Sequence, residues 1–388
     1  MSMGKPISSF VDAQAAVKRF RYFSEAAYPQ GNTSLHTPGY ANLLLRQPIG
    51  VAASIIPWNA RLIFLANKAA PALAAGCTMV LKSSEKAPLT SLKVASLIEK
   101  AGFPPGVMNI ISGNGPVCGN ALASHMDVRV VSFTGSLRTG RAIQKAAADS
   151  NMKNVVLELG GKSPVLIFED ADLDKAAKQT HLSIMFMSGQ TCMANSRIYV
   201  QKSIANEFIA KFKETSDSTG MGDPLEKTTF QGLQVDKMQF ETILKYTEAG
   251  KKTGKLASGG EKSELGNIFI KPTIFLDQPE DSQVMKEEIF GPVVIINTFE
   301  TEDEVTRKAN DTDFGLYAAV YTKDLDRAMR LSKALESGTV GINCTSPMTA
   351  ADMPFGGYKS SGIGREDLIR SMDHYLEMKT VLIKVDDL

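Results

Sequence analysis

Hydrophobic residues recur along this chain in two patterns, one typical of amphipathic helices and one typical of buried strands. Over 89–100, apolar residues return every three or four positions, which predicts a helix. The short apolar runs at 77–81 (CTMVL) and 128–133 (VRVVSF) instead predict strands. Up to residue 159, the predicted strands are 40–46, 50–56, 77–81, 107–111, 128–133 and 154–159, and the predicted helices are 13–27, 63–75, 89–100, 120–124 and 138–148.

A second run of strands and helices begins near Pro164 (PVLIF) and predicts the same class of architecture. It includes helices at 173–187 and 205–213, strands at 197–200, 338–343 and 375–385, and a glycine-rich loop at 354–364. Continuous apolar strands alternating with helices predict parallel sheets that are covered on both faces. The predicted fold class is therefore α/β, with a doubly wound, Rossmann-like sheet.

Paired glycines, Gly160 and Gly161, follow the strand predicted at 154–159 and separate the two α/β runs. Paired glycines allow a tight turn, and here a hinge between two domains is an equal alternative. The predicted domains are 1–160, which includes a strand near 40–53, and 161–365. Residues 366–388 are predicted to add a C-terminal helix and strand.

The charge and cysteine content exclude several classes of protein. The 388 residues contain 43 Lys and Arg against 42 Asp and Glu, so no basic excess indicates a nucleic-acid partner. The N-terminus resembles no signal peptide, and no apolar run reaches the length of a membrane span, so we expect a cytoplasmic protein. None of the cysteines lies in a CxxC pair, and we expect no metal site. They are Cys77, Cys118, Cys192 and Cys344.

Cys192 and Glu158 are the first candidates for chemistry. Cys192 lies in the small, polar segment SGQTCMANSR, where Gly189 allows close approach and backbone N–H groups could hold an oxyanion. An inert buried thiol is the alternative. Glu158 ends the apolar run NVVLEL, and a carboxylate at such a position tends to have a raised pKa that suits a general base. A solvated glutamate at a strand end is the alternative.

Two loops after predicted strands are candidates for binding a nucleotide. Phe133, Gly135 and Ser136 belong to a turn that opens a helix, where free N–H groups can bind a phosphate. Lys82 and Glu85 follow the strand at 77–81. An acid there can accept hydrogen bonds from ribose hydroxyls and repel a 2′-phosphate, which favours NAD over NADP. A solvated turn is the alternative for Lys82 and Glu85.

The order of the motifs is more specific than any one of them. The chain carries PWN, LKSSE, FTGS, LELGGK, GQTC, EEIFGPV and PFGGYKSSGIGRE in this sequence, the first starting at Pro57 and the last ending at Glu366. In this order and spacing, the chain resembles the aldehyde dehydrogenase superfamily from about Phe20 to its C-terminus. The resemblance implies that 1–160 binds the cofactor and that 161–365 is catalytic.

The resemblance also implies a role for each matching residue. Cys192 would attack the aldehyde to give a thiohemiacetal, and hydride loss to the cofactor would leave a thioester that Glu158 hydrolyses by activating water. Asn59 and the backbone N–H of Cys192 would hold the oxyanion. Lys68 would lie behind the asparagine, with a helix-surface lysine as the alternative. The expected cofactor site comprises Ile55, Pro57, Trp58, Lys82, Glu85, Gly115, Phe133, Gly135, Ser136, Leu159, Glu288 and Phe290.

The family resemblance implies an arm, formed by the strand near 40–53 and the C-terminal strand, that joins subunits into a homodimer or homotetramer. The chain differs from the family pattern in starting later than its members and in its pocket, where Ala60, Arg61, Asn67, Thr191 and Met193 stand. These residues predict a wide, polar entrance and an aldehyde that is larger or more polar than a simple aliphatic one. A cofactor-binding or scaffold protein without dehydrogenase turnover, or non-redox use of the pocket, is the alternative function.

Overall fold

The computed structural model describes residues 4–6, 12–26, 31–266, 268–350 and 352–385. The chain divides into two compact units. The first unit consists of Val11–Leu157, Ala351–Pro354 and Gly364–Leu388. The second unit consists of Met1–Phe10, Glu158–Ala350 and Phe355–Ile363.

Each strand and helix predicted up to residue 159 is present, to within a few residues at each end, and the structure adds a short strand at Asn32–Ser34. The predicted helix 13–27 ends at Glu25, and Ala27 lies outside the described residues. A π turn over Gly115–Gly119 precedes the fourth helix. In chain order the elements are α1 (Asp12–Glu25), β1 (Asn32–Ser34), β2 (Tyr40–Pro48), β3 (Val51–Ile55), α2 (Arg61–Ala74), β4 (Thr78–Ser83), α3 (Leu89–Lys100), β5 (Met108–Ser112), α4 (Asn120–Ser124), β6 (Val128–Thr134), α5 (Leu137–Ala148) and β7 (Asn154–Glu158).

Beyond Glu158, two predictions need correction. The helix predicted at 173–187 ends at Met185, because Met187 and Ser188 adopt positive φ angles in a 3₁₀ turn. The loop predicted at 354–364 contains a short strand. The elements are β8 (Pro164–Ile167), α6 (Leu173–Met185), β9 (Arg197–Gln201), α7 (Ala205–Asp217), α8 (Lys237–Thr253), β10 (Lys255–Ser258), β11 (Thr273–Leu276), α9 (Gln283–Lys286), β12 (Val293–Phe299), α10 (Glu302–Asn310), β13 (Tyr317–Tyr321), α11 (Leu325–Ala334), β14 (Thr339–Ile342), β15 (Gly362–Ile363), α12 (Leu368–Ser371) and β16 (Leu376–Lys384).

The first unit contains a doubly wound sheet, as the sequence predicts. Its strands lie in the order β7-β6-β3-β4-β5, and β3 pairs in parallel with both β4 and β6. Ala52 and Ala53, neighbours on β3, are both fully buried, since both faces of the sheet are covered. The strand order reverses between β3 and β6. Loops after the C-terminal ends of strands at such a point are the usual ligand site of this architecture.

The first unit also contains a three-stranded antiparallel sheet in the order β1-β2-β16. The register of β2 and β16 runs from Tyr40 opposite Lys384 to Pro48 opposite Leu376. The strands expose large apolar side chains, Leu45 and Ile383 on one face and Met378 and Leu382 on the other. A sheet with exposed apolar side chains is suited to contact another surface.

The second unit has a larger sheet in the order β10-β11-β12-β9-β8-β13-β14. All of its neighbouring strands pair in parallel except β10 and β11, which are antiparallel. Val165, Leu166 and Ile167 of β8 are fully buried at the centre. In the parts of the chain that are described, no helix has both the length and the hydrophobicity needed to cross a lipid bilayer.

Candidate active site

Cys192 follows a backbone turn that only certain residues can form. Met187, Ser188 and Gly189 have φ angles of 54°, 59° and 75°. A Cβ atom on Gly189 would lie 2.0 Å from the carbonyl carbon of Gly291, so no other residue fits without displacing the backbone. This turn ends α6 and directs the chain into the cysteine segment.

Hydrogen bonds hold the cysteine segment on both sides. Before Cys192, Gln190 donates from Nε2 to the carbonyl of Leu233 at 3.3 Å and accepts from the N–H of Val235 at 2.8 Å. After it, the N–H of Asn195 donates to Ser183 Oγ at 3.0 Å. The nucleophile therefore lies on a fixed stretch of backbone, although it is in a loop.

The Cys192 thiol interacts electrostatically with the Glu158 carboxylate. Burial raises the pKa of Cys192 well above its ordinary value, and the negative charges of Glu158 and Glu288 raise it further. Reactive thiols usually have neighbours that favour the thiolate, but the surroundings of Cys192 have the opposite effect. The cysteine is therefore a neutral thiol that needs a base. Glu158 is 2% exposed, which excludes the alternative of a solvated glutamate.

The paired glycines after Glu158 have a close-packing role. The N–H of Gly161 donates to Glu288 Oε1 at 3.1 Å. A Cβ on Gly160 would lie 2.2 Å from Glu288 Oε2, and one on Gly161 would lie 2.4 Å from the carbonyl oxygen of Cys192. Both glycines therefore let Glu288 and Cys192 approach the backbone closely.

Glu288, Phe290 and Leu159 are the predicted cofactor residues of the second unit. Burial raises the pKa of Glu288 to about 7; the Gly161 N–H and Lys162 lower it, and Glu158 raises it. Phe290 has a φ of 57°, in the left-handed region. The N–H of Leu159 donates to the carbonyl of Ser361 at 2.8 Å. A narrow pocket is lined in part by Glu288 and Phe290.

In the first unit, Lys82 and Glu85 form an ion pair at the end of β4. Lys82 is 2% exposed and donates from Nζ to Glu85 Oε2 and to the carbonyl of Ser83, both at 3.0 Å. Burial alone would raise the pKa of Glu85, but a backbone hydrogen bond and the charge of Lys82 hold it below its ordinary value. The burial of Lys82 excludes the alternative of a solvated turn for this residue. The Glu85 carboxylate is half exposed and can meet a ligand.

The loops around this pair have the form of a nucleotide site. A Cβ on Gly115 would be 3.9 Å from Glu85 Oε1, and one on Gly135 would lie 2.5 Å from the Phe133 ring. Ser136 caps α5 by accepting from the N–H of Thr139. The hydroxyl of Thr134, just before this turn, is buried and has no hydrogen-bond partner.

Three further predicted residues, Ile55, Pro57 and Trp58, lie at or beyond the end of β3. A Cβ atom on Gly119, in the π turn, would lie 3.7 Å from the Ile55 side chain. The Nζ of Lys86 lies 5.9 Å from the centre of the Trp58 ring. Loops from β3, β4 and β6 thus provide an acid, a helix N-terminus and an orphaned hydroxyl, groups that suit a dinucleotide.

Asn59 and Lys68 belong to the segment that follows β3. Asn59 is 4% exposed and lies just before α2. Lys68 is fully buried within α2, which excludes a helix-surface lysine, and its Nζ is hydrogen-bonded to Glu366. Ser132 Oγ donates to the same carboxylate oxygen at 3.0 Å. The lysine is thus part of a buried network.

The sequence profile of the aldehyde dehydrogenase family matches residues 1–381. This chain belongs to the aldehyde dehydrogenase family. It is 46% identical to retinaldehyde dehydrogenase 3 of Rattus norvegicus, over 100% of this chain and 76% of the relative. Indole-3-acetaldehyde dehydrogenase of P. syringae, solved with NAD⁺ and IAA, superposes with a TM-score of 0.96 at 39% identity, covering 99% of this chain and 79% of that one. An NADP-dependent enzyme of E. coli gives 0.95 at 38%, covering 99% and 80%.

The family assignment confirms the resemblance that the motif order indicates. Relatives named as aldehyde dehydrogenases support an aldehyde-oxidising enzyme and give no support to a scaffold without turnover. Solved neighbours include both an NAD⁺ complex and an NADP-dependent enzyme, so the family uses nicotinamide cofactors of both kinds.

The structure adds residues of this aldehyde dehydrogenase that the sequence reasoning left without a role. Glu366 and Lys162 lie inside quoted motifs, but no partner was assigned to either. A signal for Glu366 was available, because Lys68 stands among the small apolar residues of α2. A lysine buried in such surroundings requires a carboxylate partner. No signal indicated Ser132, which reads as one position of an apolar strand.

Proposed function

We propose that this chain oxidises an aldehyde to a carboxylic acid with NAD, through a covalent adduct on Cys192. The observation that supports this most directly is the interaction of the neutral Cys192 thiol with the buried Glu158 carboxylate, which raises the pKa of the thiol. A nucleophile next to an adjacent base is the usual arrangement for covalent catalysis. Because the pKa of the thiol is raised, attack requires that Glu158 remove the proton as the bond to carbon forms.

Each residue of this proposal has one task. As the sulfur of Cys192 attacks the carbonyl carbon, Glu158 takes the thiol proton, and the carbonyl oxygen becomes an oxyanion. The backbone N–H of Cys192 and the side chain of Asn59 donate hydrogen bonds to that oxygen. When bound, the oxidised nicotinamide supplies the acceptor for the aldehyde hydride. Glu158, after losing its proton to solvent, then deprotonates the water that cleaves the thioester on Cys192.

For the cofactor, we propose NAD, held by the residues that the family resemblance identifies. Lys82 and Glu85 would bind the adenosine ribose, with Glu85 accepting from its hydroxyls. The half-exposed carboxylate of Glu85 supports NAD, because it would repel a 2′-phosphate. Ile55, Pro57, Trp58 and Gly115 would line the cofactor cleft. Phe133, Gly135 and Ser136 would face the pyrophosphate, and Leu159 the nicotinamide end. Glu288 and Phe290 would position the nicotinamide ribose and ring.

For Lys68 we propose a supporting role, behind Asn59 in sequence and within the same unit. Its buried pair with Glu366 fixes the middle of α2, the helix that begins just after Asn59. A side chain that donates to an oxyanion must be held in place before the reaction. The Lys68 pair would provide that support from within the helix.

For the substrate, we propose an aldehyde that is large or polar. Arg61 is 5% exposed, and its Nε and Nη1 have no hydrogen-bond partners; the Oδ1 of Asn67 is also buried without one. Burial lowers the pKa of Arg61, and the nearby charge of Asp12 raises it. Unsatisfied polar groups of this kind favour a ligand with polar atoms. Best turnover on short aliphatic aldehydes, in a panel that also contains long-chain and polar ones, would contradict this.

We also propose that the antiparallel sheet of β1, β2 and β16 joins subunits into a dimer or tetramer. Its exposed apolar residues, such as Met378 and Leu382, support this. Sedimentation of wild type and of the double variant Met378→Glu/Leu382→Glu tests it. The variant should sediment as a smaller species, and an unchanged assembly would contradict the proposal.

The decisive experiment follows NADH formation with an aldehyde panel. Cys192→Ala should abolish turnover and keep NAD binding, whereas Cys118→Ala, a matched change of a partly exposed thiol, should keep both. Glu158→Gln should lower turnover by roughly 10²–10⁴-fold, as loss of a general base does. Turnover by Cys192→Ala close to wild type would refute the covalent mechanism.

A further inference from the structure

Lys162 is a buried cation whose presence the proposed reaction does not explain. It lies in the loop between Glu158 and β8 and is 1% exposed, and its Nζ has no hydrogen-bond partner. Burying an ammonium group without a hydrogen bond is costly, so such lysines are rare outside sites with a compensating charge. A negative charge that compensates Lys162 is therefore expected nearby.

The backbone around Lys162 is fixed against Glu288 on one side. The N–H of Gly161, the preceding residue, donates to Glu288 Oε1 at 3.1 Å. The missing side chain of Gly160 leaves the space that the Glu288 carboxylate fills. The carboxylate thus lies against the two residues that precede Lys162.

On the other side, Arg197 holds the carbonyl of Lys162. Its Nε donates to that oxygen at 2.9 Å. The Arg197 guanidinium is itself tied to the carbonyls of Lys308 and Ala309, at 3.1 and 2.8 Å. Arg197 is fully buried, so this attachment is rigid. The backbone of Lys162 is therefore held in place, directly after the two glycines that contact Glu288.

Other charged groups also act on Lys162 and Glu288. Arg197 acts against the charge on Lys162, and Glu288 and Glu287 favour it. Glu288 is in turn affected by Lys162 and Glu158, and its charge acts on Cys192 and Tyr246. Among these groups, Lys162 is the cation whose charge favours the ionised form of Glu288.

We propose that Lys162 is a positioning residue that keeps the Glu288 carboxylate ionised, and so able to accept hydrogen bonds from the ribose hydroxyls of the cofactor. This rests on the cofactor role proposed above for Glu288. An ionised carboxylate accepts hydrogen bonds on both oxygens, whereas a protonated one has lost part of that capacity and becomes a donor. The absence of a hydrogen bond on Lys162 fits a group that acts through its charge.

The titration of the two groups agrees with this assignment. Burial lowers the pKa of Lys162 to about 7, and burial raises the pKa of Glu288 to about 7. Burial and the charge of Glu158 raise the pKa of Glu288, whereas the Gly161 N–H and Lys162 lower it. Without Lys162, only the Gly161 N–H would still lower this pKa. The carboxyl group would then be protonated at neutral pH and would ionise only at higher pH.

The test measures the dissociation constant of NAD by calorimetry from pH 6 to pH 9, for wild type and Lys162→Met. A rise of one unit in the midpoint corresponds to about a tenfold change at a pH below both midpoints. We expect Lys162→Met to bind NAD about tenfold more weakly at pH 6 and about fivefold more weakly near pH 7, and to approach wild type as pH rises past about 8.5. Lys153→Met, which removes a buried lysine of the first unit, is the matched control and should leave the profile unchanged.

Glu288→Gln separates failure of this inference from failure of the proposed function. Its NAD affinity should be weakened and should not vary with pH, and adding Lys162→Met should change nothing further. An unchanged affinity in Glu288→Gln would refute the ribose role itself. A weakened Glu288→Gln beside an unshifted Lys162→Met profile would refute the inference alone. The inference would also be refuted if Lys162→Met weakened NAD binding equally at every pH and did so in the Glu288→Gln variant as well.

Stability provides the second readout. Since the ammonium has no hydrogen bond to lose, Lys162→Met and Lys162→Gln should melt no earlier than wild type. Unfolding of both variants would show that Lys162 is needed for the fold, and this would overturn the inference.

Discussion

Lys68→Met should destabilise the first unit by several kcal/mol, because it leaves a carboxylate inside the protein without its cation. Lys68 is fully buried and Glu366 is 6% exposed, and the two are hydrogen-bonded. Methionine has nearly the volume and flexibility of the lysine stem, so packing changes little. The change thus isolates the loss of the charge.

The magnitude follows from the burial of the pair. Removing one partner of a buried ion pair typically costs about 3–5 kcal/mol, because the remaining charge stays buried without compensation. Lys68 and Glu366 are both buried, so the cost of Lys68→Met should lie in this range.

Urea unfolding followed by tryptophan fluorescence measures this effect. The chain has one tryptophan, and Trp58 lies in the first unit with Lys68 and Glu366. Lys93→Met, at an exposed position of α3, is the control and should change stability by less than about 0.5 kcal/mol. Lys68→Met/Glu366→Gln should cost much less than the two single changes together. Additive single costs, or a Lys68→Met variant as stable as wild type, would refute the reasoning.

Three further outcomes are expected. Gly189→Ala should lower activity at least about tenfold, because its Cβ would clash with the backbone of Gly291. Gly266→Ala has a similar φ but open space around it, and should cost only about 1 kcal/mol of stability. Steady-state kinetics and thermal melting of both variants test this. Glu85→Gln should raise the ratio of kcat/KM for NADP over NAD about tenfold, and an unchanged ratio would exclude Glu85 as the selecting acid. Glu158→Gln removes a charge that raises the pKa of Cys192, so iodoacetamide should alkylate this thiol faster near pH 8. Mass spectrometry detects the adduct, and slower alkylation in the variant would contradict this effect of Glu158.

The fold was largely predictable because strands covered on both faces must be apolar throughout. β6 and β8 are such strands, and their runs of valine, leucine and isoleucine leave few other assignments. β1, Asn32–Ser34, has no apolar pattern and was missed. The end of α6 was also placed late, because its termination depends on positive φ angles at Met187 and Ser188, which their residue types do not signal.

The reacting residues were predictable from ordered motifs, and their electrostatic surroundings were not. Cys192 and Glu158 stand in recognisable segments, but the pKa of the thiol is raised first by burial and then by the charges of Glu158 and Glu288. Burial and the approach of Glu288, which is distant in sequence, come from tertiary packing. The partner of Lys68 is separated from it by 298 residues. Such pairs form only through tertiary packing, so local patterns can indicate that a buried charge needs a partner without identifying it.

The two buried lysines therefore differ in a way that sequence alone does not reveal. Lys68 is bonded to a carboxylate that Ser132 also holds, so its charge is compensated within the fold. Lys162 has no hydrogen bond, and the Glu288 carboxylate is held by the Gly161 N–H instead. Removing the first cation should thus lower the free energy of unfolding. Removing the second should leave that energy intact and instead weaken the binding of a hydroxyl-bearing ligand at neutral pH, because the charge of Lys162 acts on Glu288 and not on the fold.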